Sequence, residues 1–206
     1  MLSKFLFLSS LILFCSFKTS FKASDWYELK FKKITPNEVE YSKKSLLIKS
    51  HSSASPLIYK FKKPTLVKKI SVKGKITTIK KPFSFSSDDR AFEIGLIVQG
   101  EKKLNLLQRL TAPSWIKKLV SLSSSGINSV CFFTVNHLGV SAKKEYEVKG
   151  IKIYHAPVTK TSDDGSFHLQ TNNFCTQGPV IGLWIRSDSD DSRGQLNVQI
   201  NEIEID

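Results

Sequence analysis

The feature that most constrains this chain is its succession of short, strand-length apolar runs separated by clusters of Ser, Asp, Gly, Pro and Asn. In WYELKFKKI, beginning at Trp26, the side chains of Tyr27, Leu29 and Phe31 fall on one face and those of Glu28, Lys30 and Lys32 on the other. That period of two belongs to strands, because successive side chains of an extended chain point to opposite sides. Similar runs recur as SLLIKS, PLIYKF, KKISVKGKIT, AFEIGLIV, SVCFFTVN, YEVKGIKIYH, PVIGLWIRS and QLNVQINEIEI. In the last, Leu196, Val198 and Ile200 share a face and the pattern then steps by one to Ile203 and Ile205, which predicts a bulge near Asn201.

Many short strands joined by turn-forming clusters predict an all-β fold, a two-sheet antiparallel β-sandwich that is jelly-roll-like (galactose-binding-like). A doubly wound parallel sheet is excluded by the lack of helical periods between the runs. One helical excursion is expected in EKKLNLLQRLTAPSWIKKLVSL. There Leu104, Leu107 and Leu110 have helical spacing, Pro113 breaks the pattern, and Ser114 could cap a second turn holding Trp115, Ile116, Leu119 and Val120. The chain of 206 residues needs only one domain, expected over residues 24 to 206.

Residues 1 to 23 read as a secretory signal peptide: Lys4 precedes an apolar run from Phe5 to Cys15. That run is too short to cross a bilayer core of ~30 Å as a helix, so the mature protein is expected to lack a transmembrane span and to be periplasmic or secreted. Cleavage after Ser16, Ser20 or Ala23 is compatible with the residues present, and a lipid-modified Cys15 is the competing reading. The other two cysteines, Cys131 and Cys175, could form one disulfide in an oxidising compartment or be two buried thiols.

The formal net charge of +13 is unevenly spread: residues 17 to 81 hold 17 lysines and 4 acidic residues, whereas the remainder of the chain to Asp206 is close to neutral. Solvated outer strand faces would give this pattern, as would a face resting on an anionic envelope surface or polysaccharide. Nucleic acid is not an expected partner, because no zinc-finger, helix-turn-helix or RNA-binding signature is present.

Four landmarks, in order, are LLIKSHSSASPLIY with its SSAS turn, SSDDRAFEIGLIV with DDR before a strand, SVCFFTVNHLG, and GPVIGLWIRSDSDDSRGQLNVQINEIEI with a D-x-D-x-S turn. Together they resemble an uncharacterised family of exported bacterial proteins, domain of unknown function 3047. The resemblance spans about residues 25 to 206 and implies export and a β fold, without an activity. KKISVKGKIT lacks the tryptophan expected of that family, and SDDGSFHLQ stands where an Arg-Asp pattern is usual, so the chain resembles a divergent member.

Asp188, Asp190 and Ser192 alternate in a turn, and oxygens so placed can converge on Ca²⁺, which takes six to eight of them. The same spacing fits a solvated hairpin whose Asp and Ser side chains bond their own backbone. Asp88, Asp89 and Arg90 form a second cluster and are candidate ligand-binding residues. Arg90 could clamp Asp188 or Asp190 if the two turns meet, or Asp88 and Asp89 could add oxygens to the same cation. A carbohydrate-active hydrolase could pair Asp88 or Asp89 with Asp190. The four histidines lack zinc-site spacing, and no nucleophile elbow or phosphate loop is present.

Among the aromatic residues, Trp115, beside Pro113, is the candidate for an exposed sugar-stacking ring, whereas Trp184 lies in an apolar run typical of a core. The leading expectation is an exported carbohydrate-binding module with Ca²⁺ as a possible stiffening ion. The alternatives are the hydrolase and a structural protein on anionic envelope surfaces.

Overall fold

The computed structural model describes residues 17–80, 90–136, 144–156, 159–172, 178–191 and 193–206. Residues 1–16 of the expected signal peptide, Cys15 among them, lie outside the described residues, as do Asp88, Asp89, Cys175 and Ser192. In chain order the elements are β1 (Phe17–Lys18), β2 (Trp26–Glu28), β3 (Glu38–Tyr41), β4 (Leu46–His51), β5 (Leu57–Thr65), β6 (Ile70–Lys80) and β7 (Arg90–Lys102). Then come α1 (Leu106–Thr111), α2 (Ser114–Ser121), β8 (Ile127–Asn136), β9 (Lys144–Val148), β10 (Ile151–His155) and β11 (Thr159–Lys160). The chain closes with β12 (Ser166–Thr171), β13 (Val180–Asp188) and β14 (Gln195–Ile205).

The strands form two sheets, as the alternation predicts. Sheet A has the order β12-β6-β14-β4-β3, with β1 added beside β14, and sheet B the order β2-β5-β13-β7-β8-β10-β9, with β11 added beside β8. β4, β5, β6 and β7 lie alternately in A and B, so successive connections cross between the layers as they do in a jelly roll. Pairing is antiparallel except where β10 and β11 run parallel to β8. The predicted bulge is present: the register of β14 against β6 shifts between Ile200 and Glu202, which keeps Ile203 and Ile205 on the core face.

YEVKGIKIYH, read as one strand, is instead a hairpin. Lys149 and Gly150 both have positive φ and link β9 to β10 in a two-residue turn, with Val148 paired to Ile151. The apolar alternation continues through the turn, which is why the reversal was hidden in the sequence.

Sheet B is covered on both sides. Toward sheet A it contributes Phe92, Ile94, Leu96, Val98, Cys131, Phe133, Leu183 and Ile185 to the main core. Its other face, through Ile97, Val130, Phe132, Ile153 and Trp184, packs under Leu104, Ala112, Ile116, Leu119 and Leu122 of the helical excursion. Cys131 is buried in the main core and disulfide-bonded.

The helical excursion differs from expectation in two details. The cap of α2 is Pro113, with Ser114 as its first helical residue, while Asn105 caps α1 by accepting from the Gln108 amide. Of the three leucines expected to line one buried face, only Leu104, just ahead of the helix, is buried; Leu107 and Leu110 are exposed together with Leu106.

Candidate functional site

Strands covered on both faces should be apolar throughout, yet β7 and β13 each carry one charged residue inside an apolar run, Glu93 and Arg186. The register brings them together. Arg186 pairs with Glu93 across β13 and β7, and Glu93 pairs with Thr134 across β7 and β8. All three side chains project from the face of sheet B that also carries the helices, because each lies two residues from Trp184, Gly95 or Phe132 on the same strand.

The Glu93 carboxylate is fully buried and surrounded by donors. Arg186 Nε donates to Oε2 at 2.8 Å, Thr134 Oγ1 donates to Oε1 at 3.1 Å, and His155 Nδ1 lies 3.1 Å from Oε1. Arg90 Nε is 3.9 Å from Oε1. Burial alone would push the Glu93 carboxyl up, but the Arg186 guanidinium and the His155 hydrogen bond outweigh it and hold the group at about 2. Arg186 is in turn held protonated by Glu93 and Asp188, its Nη1 donating to Asp188 Oδ2 at 3.1 Å.

One residue pair along the strands lies a row of rings. Trp184, Gly95, Phe132 and His155 are register partners across β13, β7, β8 and β10. Centroid separations are 6.3 Å for Trp184 and Phe132, 5.1 Å for Phe132 and His155, and 5.9 Å for His155 and Tyr146 of β9. Trp115 extends the row from α2, edge-on to Trp184 at 6.1 Å. Gly95 makes the row possible: a Cβ there would lie 2.6 Å from Phe132 Cε1, so only a glycine lets the Phe132 ring lean across β7. The Trp184 indole Nε1 is buried without a hydrogen-bond partner.

The sequence candidates fall around this cluster. Arg90 and Asp188 are register partners on β7 and β13, so the two turns do meet as the clamp reading requires. Asp188 is buried and its carboxylate engages Arg186, while Asp190 is partly exposed beyond the strand end. No group of three or more His, Cys, Asp and Glu among the described residues is arranged to hold a metal ion. Trp115 is half-buried, with its ring against Trp184.

The SSAS turn also converges here. Ala54 bridges Asp188, Ser189 N donates to Ser53 O at 3.2 Å, and the Ser50 and Ser189 hydroxyls are 2.7 Å apart. Asn37 joins them by donating to Ser187 O and accepting from Ser53 Oγ. Buried hydroxyls and amides thereby satisfy one another and fix the end of β13 relative to β4.

Neither a family model nor a characterised protein matches the sequence. Among solved structures, the adhesin domain of Epf from Streptococcus pyogenes matches with 11% identity and a TM-score of 0.31 over 92% of this chain; the chain spans 57% of that one. The family 11 xylanase from Neocallimastix patriciarum matches with 8% identity and a TM-score of 0.35, over 93% of this chain and 99% of the xylanase. Likenesses this distant transfer no functional residue.

Sequence reasoning missed Glu93, Arg186, Thr134 and His155. The available signal was a single charge of opposite sign in each of two apolar runs, AFEIGLIV and VIGLWIRS, since a charge in a strand covered on both faces requires a partner.

Proposed function

We propose that the protein is an exported, non-catalytic binding module for polysaccharide, using the helix-bearing face of sheet B. The observation that supports this most is the pair of adjacent rungs on that face, one of rings ending in the partly exposed Trp115 and Tyr146, the other the fixed Arg186–Glu93–Thr134 grid. Sugars offer apolar C–H faces that stack on flat rings and hydroxyls that bond planar polar groups held in place.

The charge arrangement favours acidic sugars. The carboxylates of Glu93 and Asp188 are 0% and 10% exposed, whereas the Arg90 and Arg186 side chains are 23% and 24% exposed, so the cationic residues of the cluster lie nearer solvent than the anionic ones. Guanidinium can hold a uronate carboxylate bidentately. Export is supported by the leader-like first residues and by the disulfide at Cys131. Among the described residues no helix is long and apolar enough to cross a membrane.

The test is affinity electrophoresis on polygalacturonate and on a neutral glucan, with the native protein, Trp115→Ala and Tyr146→Ala. Retardation on the acidic polymer that weakens roughly tenfold or more in either variant, measured below the melting temperature of each, is expected. Absence of retardation on both polymers, or equal retardation of all three proteins, overturns the reading.

The hydrolase alternative pairs Asp190 with Asp88 or Asp89, of which only Asp190 lies among the described residues. Glu93 is unsuited to serve as a general acid, being wholly buried and held ionised.

A further inference from the structure

We infer that α1 is a membrane-docking knuckle that inserts its leucines among the acyl chains of an anionic lipid surface. Leu106, Leu107 and Leu110 are 76%, 74% and 71% exposed, and α1 buries none of its residues. Positions i, i+1 and i+4 share one side of a helix, so the three form a single apolar face directed away from the sandwich. Isolated exposed leucines are ordinary, but three on one turn and a half of helix are a surface that water disfavours.

The rim of this face selects its occupant. Lys102, Lys103, Arg109 and Lys117 are exposed around the excursion, and Lys149 reaches it from the β9–β10 turn, donating to Thr111 Oγ1 at 3.0 Å. From Glu101 to Ser121 the only acidic residue is Glu101 itself. A cluster of leucines ringed by Lys and Arg matches a bilayer interface, where the apolar groups enter the acyl boundary and the cations meet anionic headgroups. A second copy fits poorly, because joining two such faces would set the basic rims against each other. The capping box at Asn105 and Gln108 holds the helix in shape before contact.

The experiment is vesicle co-sedimentation of the chain from Phe17 onward, which contains every described element of the fold and lacks the apolar leader that would bind lipid by itself. The probes are phosphatidylglycerol vesicles and phosphatidylcholine vesicles at low and high salt. The variants are Leu106→Gln/Leu107→Gln/Leu110→Gln and Lys102→Glu/Lys103→Glu/Lys149→Glu, all of exposed side chains. The expected result is binding to the anionic vesicles that falls roughly tenfold or more in the leucine variant, and falls also in the charge variant and in high salt. Failure of the native chain to sediment with phosphatidylglycerol, equal sedimentation of the leucine variant, or a leucine-dependent dimer in light scattering without vesicle binding each overturns it. Because Trp115, Tyr146 and the net charge are untouched in the leucine variant, polysaccharide retardation should persist in it, which separates the two proposals.

Discussion

Arg186 Nε lies 2.8 Å from Glu93 Oε2 although 93 residues separate them in the chain, and the two are register partners at the centre of a sheet covered on both sides. A wholly buried carboxylate is tolerated only because the guanidinium, His155 and Thr134 replace the water it has lost. Substituting Glu93→Gln is therefore expected to destabilise the fold by about 3 kcal/mol, since it leaves Arg186 without its main counter-charge. Chemical denaturation of both proteins at neutral pH measures this, and a change below about 1 kcal/mol would refute the pairing's structural role.

The same carboxylate predicts acid sensitivity. Its folded value of about 2 lies below that of an unfolded glutamate, so its stabilisation is fully present above the unfolded value and is lost as pH falls toward 2. The melting temperature should thus drop between about pH 5 and pH 2, and less steeply in Glu93→Gln. Glu202, held at about 2 by Lys18 and Lys73 on the exposed side of β14, adds to the slope in low salt and should be screened in high salt.

Gly95→Ala is expected to cost about 1–3 kcal/mol, because the added methyl would press on the Phe132 ring at 2.6 Å and disturb the ring row. Near-ultraviolet circular dichroism should report the altered tryptophan environment in the same variant; an unchanged spectrum and melt would show that Phe132 moves aside freely.

For the leader, cleavage after Ser16 is the expected site of the three. Phe17 packs edge-on against Phe61, Phe21 is buried in the core, and Trp26 Nε1 donates to Ser20 O. Processing after Ala23 would remove these contacts, with about 1.5–3 kcal/mol lost for Phe21 alone. If the leader is removed, N-terminal sequencing of the processed protein decides, and a start at Phe21 or Ser24 would contradict the expectation.

At the acidic turn, millimolar Ca²⁺ should leave the melting temperature unchanged. Asp188 is engaged by Arg186 and faces Arg90 across the strands, which disfavours an added cation. A calcium-dependent rise that disappears in Asp190→Asn would instead establish the turn as a metal site.

What the sequence by itself determined is the set of faces. Alternation in the sheet A strands and the one-residue step at Asn201 are local consequences of backbone geometry, and they appear as read. Even the meeting of Arg90 with Asp188 was foreseeable as a possibility, because both lie at strand ends. What only the tertiary structure decided is strand register. Glu93, Arg186, Thr134 and His155 come from four strands, and which residue of one strand stands opposite which of the next is set by non-local pairing that period two leaves open. Exposure of the α1 leucines was likewise undecidable, since helical spacing marks an apolar face without saying whether anything in the same chain covers it.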